Sequence, residues 1–123
     1  MGQNIVTDIN QEFLEILLNE AEEMLQLWES CCMELEQEFS MDTVNALFRT
    51  AHNLKGSSKS VGLEKFGNFV HAVENVMTAV KESEIEFNPD IVAVMLDSQS
   101  LASKWIQACW ENPLVEFDTS AIV

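Results

Sequence analysis

The chain has no tyrosine, only two prolines and four glycines, three cysteines, and six lysines and arginines in 123 residues. Each scarcity excludes something. With so few helix breakers, long helices can run uninterrupted. The β-branched residues are scattered rather than alternating, so no strand pattern emerges. Six basic residues against 21 acidic ones leave a formal charge of −15. Such a chain lacks the clustered cations that displace counterions from DNA or RNA, and an anionic membrane repels it. No apolar run approaches the roughly 20 residues needed to span a bilayer. The opening MGQNIVTDINQEF has neither the basic start nor the apolar centre of a signal peptide. Gly2 has Thr7 beyond it, off the position of a myristoylation signal. Cys31, Cys32 and Cys109 are odd in number and lack metal-ligand spacing, which points to a reducing compartment and hence the cytoplasm. There is no Gly-rich phosphate loop, no CxxC pair and no HExxH.

What is present is helical periodicity. The length suits one domain with a single core. Residues 1–7 read as a loose arm, with Thr7 or Asp8 capping a first helix that runs to about Phe39. Its apolar stripe is read as Phe13, Ile16, Leu17, Met24, Leu27, Cys31 and Leu35, with Glu20 among them. Ser40 or Asp42 starts a second helix, from about Thr43 to Ser58 or Lys59. Gly62 closes it, as a residue that takes the left-handed conformation without penalty. A third helix covers about Glu64 to Lys81. Asn88, Pro89 and Asp90 restart a fourth, which runs to about Trp110 before Asn112 and Pro113 stop it. Four amphipathic helices with short connections predict an all-α, antiparallel up-down four-helix bundle over residues 1–112, with 113–123 as a tail, linker or short extra segment that packs through Leu114 and Phe117. The methionines and tryptophans read as core filling.

Against this acidic background, residues 48–74 form a basic island. They contain both histidines, His52 and His71, together with Arg49, Lys55, Lys59 and Lys65. On the second helix Val44, Leu47, Ala51, Leu54 and Ser58 share the core face. His52, Lys55, Gly56 and Lys59 lie roughly 120° round from it, facing outward. An exposed imidazole with a free lone pair suits a nucleophile that accepts a phosphoryl group. Such transfer needs positioning and charge neutralisation more than elaborate covalent machinery. Lys55 can approach phosphoryl oxygens, Gly56 leaves room for a docked partner, and Lys59 adds a second cation. If the second and third helices are antiparallel across Gly62, Glu74 can orient His52 through one ring nitrogen, with His71 tuning the pair from behind. The residues alone also suit a plain surface histidine, or a cation cluster that relieves an acidic surface. A metal site from His52, His71 and Glu74 is disfavoured by the adjacent Lys55.

The string AHNLKGSSKSVG, followed by FVHAVENV, resembles the histidine phosphotransfer (HPt) domain, in which His-x-Leu/Ile-Lys-Gly is followed by small residues and then a Gly. Here these are His52, Leu54, Lys55, Gly56, Ser57, Ser58 and Gly62. His71 and Glu74 are similar to the pair that supports the phosphorylated histidine in the N-terminal domain of chemotaxis-type histidine kinases. The resemblance implies phosphorylation of His52 at Nε2 by a histidine kinase catalytic domain, or by a receiver aspartyl phosphate. It implies onward transfer to an Asp of a response-regulator receiver domain. Gly56, Lys59 and Ser57 would dock the partner. ATP and Mg²⁺ would come with the kinase domain, and Mg²⁺ with the receiver; this chain would bind no cofactor and no metal. It carries no ATP-binding boxes, so it reads as the phosphoacceptor fragment of a kinase or as a free-standing carrier; a compact bundle of charge −15 reads as a monomer by itself, unless other domains dimerise. The alternative is a non-catalytic helical interaction module of the same fold.

Overall fold

The computed structural model describes residues 11–119. Four helices follow in order, α1 Gln11–Gln37, α2 Met41–Ser60, α3 Glu64–Lys81 and α4 Pro89–Cys109, and no strand occurs among the described residues. The predicted loose arm, with Gly2 in it, and the Thr7 or Asp8 cap lie outside the described residues. α1 packs between α2 and α4, α2 packs most extensively on α3, and α3 meets α4 only slightly. This is the expected bundle.

The local chemistry explains the boundaries. Ser40 caps α2 by accepting a hydrogen bond from the Thr43 amide at 3.3 Å, and Asn88 caps α4 through Ile91 at 3.1 Å, with Pro89 at the first helical position. α2 ends in a paired closure: the Leu63 amide donates to Ser58 O at 2.9 Å and the Gly62 amide to Lys59 O at 3.1 Å. That geometry requires Gly62 at φ 94°, where a side chain would be strained. The turn is therefore tight and sends α3 straight back along α2.

The core face of α1 is rotated from the predicted one: Leu17, Cys31 and Leu35 are buried as expected and Met24 packs against the core, but the other members of the predicted stripe are not. The helix buries Leu14, Leu17, Leu18, Ala21, Leu25, Trp28, Cys31, Cys32 and Leu35. Phe13, Ile16 and Leu27 are instead 60%, 53% and 57% exposed. α1 carries two apolar stripes at helical spacing, roughly 90° apart. Periodicity alone does not choose between them. The buried stripe wins because Trp28 fits wholly inside and its indole donates to Met95 O on α4 at 3.1 Å. Glu20, in the middle of the rejected stripe, marks the solvent side. α4 buries Val92, Met95, Ser98, Ala102, Trp105, Ile106 and Cys109, while Val94 faces solvent.

The slight α3–α4 contact is filled by rings. Trp105 packs on Phe66, Phe69 and Phe117 with centroids 5.4, 5.8 and 5.5 Å away, and its indole donates to Val115 O. Residues after α4 thus fold back across the gap, tied also by Lys65 to Glu116 at 2.7 Å. Of the two residues predicted to pack there, Phe117 does and Leu114 remains 47% exposed. The three cysteines are buried free thiols. Burial, aided by neighbouring acidic groups, pushes Cys32 up to about 12, and burial pushes Cys109 up to about 11, so both act as small apolar fillers.

Candidate functional site

The α2–α3 seam holds the chemistry. Gly67, Glu74 and Lys81 are spaced by seven, two helical turns, so they form one ridge of α3. Along the antiparallel α2 this ridge meets Lys59, then His52 and Lys55, then Phe48. Each pairing differs in kind. At the Gly62 end, the Lys59 side chain lies over Gly67 so closely that a Cβ there would fall 2.6 Å from Lys59 Cγ. Gly67 therefore makes room for the lysine stem.

In the middle, Nδ1 of His52 lies 2.6 Å from Oε2 of Glu74. The His52 side chain is 56% exposed and that of Glu74 only 9%. Against an ionised carboxylate, the neutral ring must take the tautomer with a proton on Nδ1, which donates to Glu74. Nε2 then carries the free lone pair, and it has no protein partner among the described residues. Lys55 Nζ lies 2.8 Å from the other carboxylate oxygen, Oε1. That contact is an ion pair rather than an aligned hydrogen bond, since Oε1 has no well-directed donor. Burial by itself would raise the Glu74 carboxyl; Lys55 and then His52 outweigh it, and Glu74 titrates below its ordinary 4.5. Near neutral pH Glu74 is thus a buried anion with two partners, and it fixes both.

The structure brings together His52, Lys55 and Glu74, and places Gly56 and Lys59 on the same outward face. A Cβ added at Gly56 would meet nothing within 4 Å, so no contact inside the bundle demands glycine there. Two predicted members are not brought in. His71 is exposed and makes no hydrogen bond with Glu74 or His52. It sits three residues before Glu74, roughly 60° further round α3, so when Glu74 turns into the seam His71 turns out of it. Ser57 is half-buried and lies roughly 140° round α2 from His52.

Sequence reasoning missed Phe48, Lys81 and Gly67. The Phe48 ring stacks near His52, with centroids 6.0 Å apart and planes at 18°, and Lys81 Nζ stands 3.9 Å from the Phe48 ring centre. A four-residue step back from His52 would have found Phe48. Lys81 and Gly67 needed the α2–α3 register. No group of three His, Cys, Asp or Glu among the described residues is arranged to hold a metal ion, and no described helix is long and apolar enough to cross a membrane.

Residues 12–111 match the family model described as the Hpt domain. The chain is similar to the chemotaxis protein CheA of Borreliella burgdorferi, 36% identical over 90 residues, covering 72% of this chain and 10% of that protein. It is 37% identical over 92 residues to CheA of Rhizobium meliloti, covering 74% of this chain and 12% of the other. It therefore spans about a tenth of the length of these curated relatives. Among solved structures, the CheA phosphotransferase domain from Thermotoga maritima superposes with a TM-score of 0.76 at 25% identity, covering 80% of this chain and 95% of that one. The phosphorylated P1 domain of CheA3, in complex with CheY6 from R. sphaeroides, gives 0.80 at 18% identity, covering 89% and 86%, and so shares the fold.

Proposed function

The chain belongs to the Hpt domain family, and from that premise we propose that it carries a phosphoryl group on His52 between a histidine kinase catalytic domain and a response-regulator receiver domain. One observation carries the assignment to His52: its Nδ1 is tied to the buried Glu74 at 2.6 Å while its side chain stays 56% exposed. The Nε2 lone pair attacks phosphorus, the P–N bond forms, and the leaving oxygen departs with its electron pair. Positive charge that develops on the ring is met at Nδ1 by the Glu74 carboxylate. Lys55, held beside it, and Lys59 counter the phosphoryl oxygens. ATP and Mg²⁺ belong to the kinase domain and Mg²⁺ to the receiver. The carrier works in the cytoplasm, a reading supported by its three free cysteines.

The test is to incubate the chain with a CheA-type catalytic domain and Mg–ATP, and to locate the phosphate by mass spectrometry at alkaline pH, where a P–N bond survives. One phosphoryl group on His52 is expected, leaving for the receiver once receiver and Mg²⁺ are added. Phosphate on any other residue would overturn the assignment. A chain that takes none, yet still binds the receiver, would be an interaction module instead.

Gly56 separates docking from folding. Gly56→Ala is expected to stabilise the bundle by about 1 kcal/mol in urea unfolding, because a mid-helix glycine is replaced where there is open space. The same methyl group, four residues from His52, is expected to slow transfer to the receiver. A gain in stability with transfer at the parent rate would show that the partner does not approach over this turn.

A further inference from the structure

Glu74 fixes one atom of the His52 ring and leaves its plane free. A single bond at Nδ1 still lets the imidazole rock, and a side chain 56% exposed has little else to restrain it. A second contact is present. Phe48 lies one turn earlier on α2, and its ring is nearly parallel to the imidazole, at 18°, with centroids 6.0 Å apart. This offset arrangement is an attractive one for two flat π systems. Phe48 is only partly buried, whereas Val44, Leu47, Ala51 and Leu54 cover the buried face of α2. Its ring is occupied by two neighbours near the site, His52 and Lys81. Lys81, in the last turn of α3, holds its ammonium 3.9 Å from the ring centre, well within cation–π range. In a chain with 21 carboxylates, this lysine rests on a ring and forms no ion pair among the described residues.

We infer that Phe48 is a positioning residue for His52: it sets the plane of the imidazole while Glu74 sets its rotation, and Lys81 pins Phe48 from the neighbouring helix. The inference rests on the phosphoacceptor reading for its effect on transfer, and on the ring contacts alone for its effect on His52. Two helices then hold the nucleophile by three contacts, at Nδ1, across the ring plane, and through Lys81 at one remove. The Nε2 lone pair keeps one direction in the absence of any partner.

The experiment compares the parent with Phe48→Leu, Phe48→Tyr and Lys81→Gln, each checked for folding by thermal melting. Two readouts are taken. The first is the rate of labelling by phosphoramidate, a small donor that needs no docking. Its P–N bond breaks as the bond to Nε2 forms, and the amine leaves as ammonia. The second is the ¹⁵N shifts of the His52 ring, which report the share of the tautomer protonated at Nδ1.

Phe48→Leu, which keeps apolar bulk but loses the flat face, is expected to label about three- to tenfold more slowly. Its ring shifts should move toward an average of the two tautomers, because a ring that rocks out of plane loses the aligned Nδ1–Glu74 bond that holds the proton there. Phe48→Tyr should recover both readouts to within about twofold, and Lys81→Gln should shift both in the direction of Phe48→Leu but less. Parent ring shifts in Phe48→Leu would overturn the inference, even if labelling slowed. If Phe48→Leu does not fold, Lys81→Gln decides by the same criterion. A parent chain that takes no phosphate from any donor would remove the phosphoacceptor reading, and the ring shifts would still decide the role of Phe48.

Discussion

Glu74→Ala is expected to fold and to take phosphate at His52 roughly a hundredfold more slowly than the parent. The baseline is His52→Gln, which takes none. The substitution removes a buried carboxylate that does two things at once. It holds the proton on Nδ1, which leaves Nε2 with the lone pair, and it faces the charge that grows on the ring as phosphorus is attacked. It also releases Lys55, which loses the 2.8 Å contact that keeps its ammonium beside the site. Glu74→Gln should fall between the two, since an amide oxygen can accept from Nδ1 but offers no charge. The measurement is a single-turnover rate at saturating kinase domain. The loss should lie in that rate rather than in the concentration for half-saturation, because Glu74 is 6% exposed and offers a partner little to touch. A parent-like rate for Glu74→Ala would show that the hydrogen bond is merely structural.

How much of this arrangement can be read before folding depends on which helix carries it. α2 is well determined by its sequence. Its core face, its Gly62 closure and the outward set of His52, Lys55, Gly56 and Lys59 follow from spacing, because apolar and polar residues there divide cleanly; its start was legible only as Ser40 or Asp42, and Ser40 is the cap. The α3 side is harder. His71 and Glu74 are close enough in angle that either or both could face α2, and only the register settles it. Once Lys59 drops into the gap at Gly67, Glu74 comes level with His52 and His71 is carried past the seam. The information was present in Gly67, whose value shows only when its neighbour on α2 is known. Phe48 and Lys81 are hidden differently: a phenylalanine near a core face and a lysine at a helix end each have an ordinary explanation when taken singly. The extra packing after α4 was legible in part, since Phe117 finds Trp105 but Leu114 does not join it.

α1 gives the sharpest test of where periodicity stops. Trp28→Ala is expected to cost about 3–5 kcal/mol in urea unfolding, whereas Leu27→Ser, one residue away, should change stability by no more than about 0.5 kcal/mol. Both residues are large and apolar, and both belong to stripes with good helical spacing. Trp28 is 0% exposed, fills the space between α1 and α4, and spends its indole N–H on Met95 O; truncation leaves a cavity and removes that bond. Leu27 is 57% exposed and already pays its hydration in the folded state, so a polar replacement loses little. A domain of this size has only about 5–15 kcal/mol in total, so Trp28→Ala should unfold at markedly lower urea, while Leu27→Ser should overlay the parent. The reverse order would mean that α1 is rotated by a quarter turn and that the stripe through Phe13, Ile16 and Leu27 is the core after all. That rotation would also carry Gln99 away from Leu25 O, to which its side-chain amide now donates at 3.0 Å. Leu27 lies on the solvent side of α1, away from the α2–α3 seam, so phosphate acceptance by Leu27→Ser should stay at the parent rate.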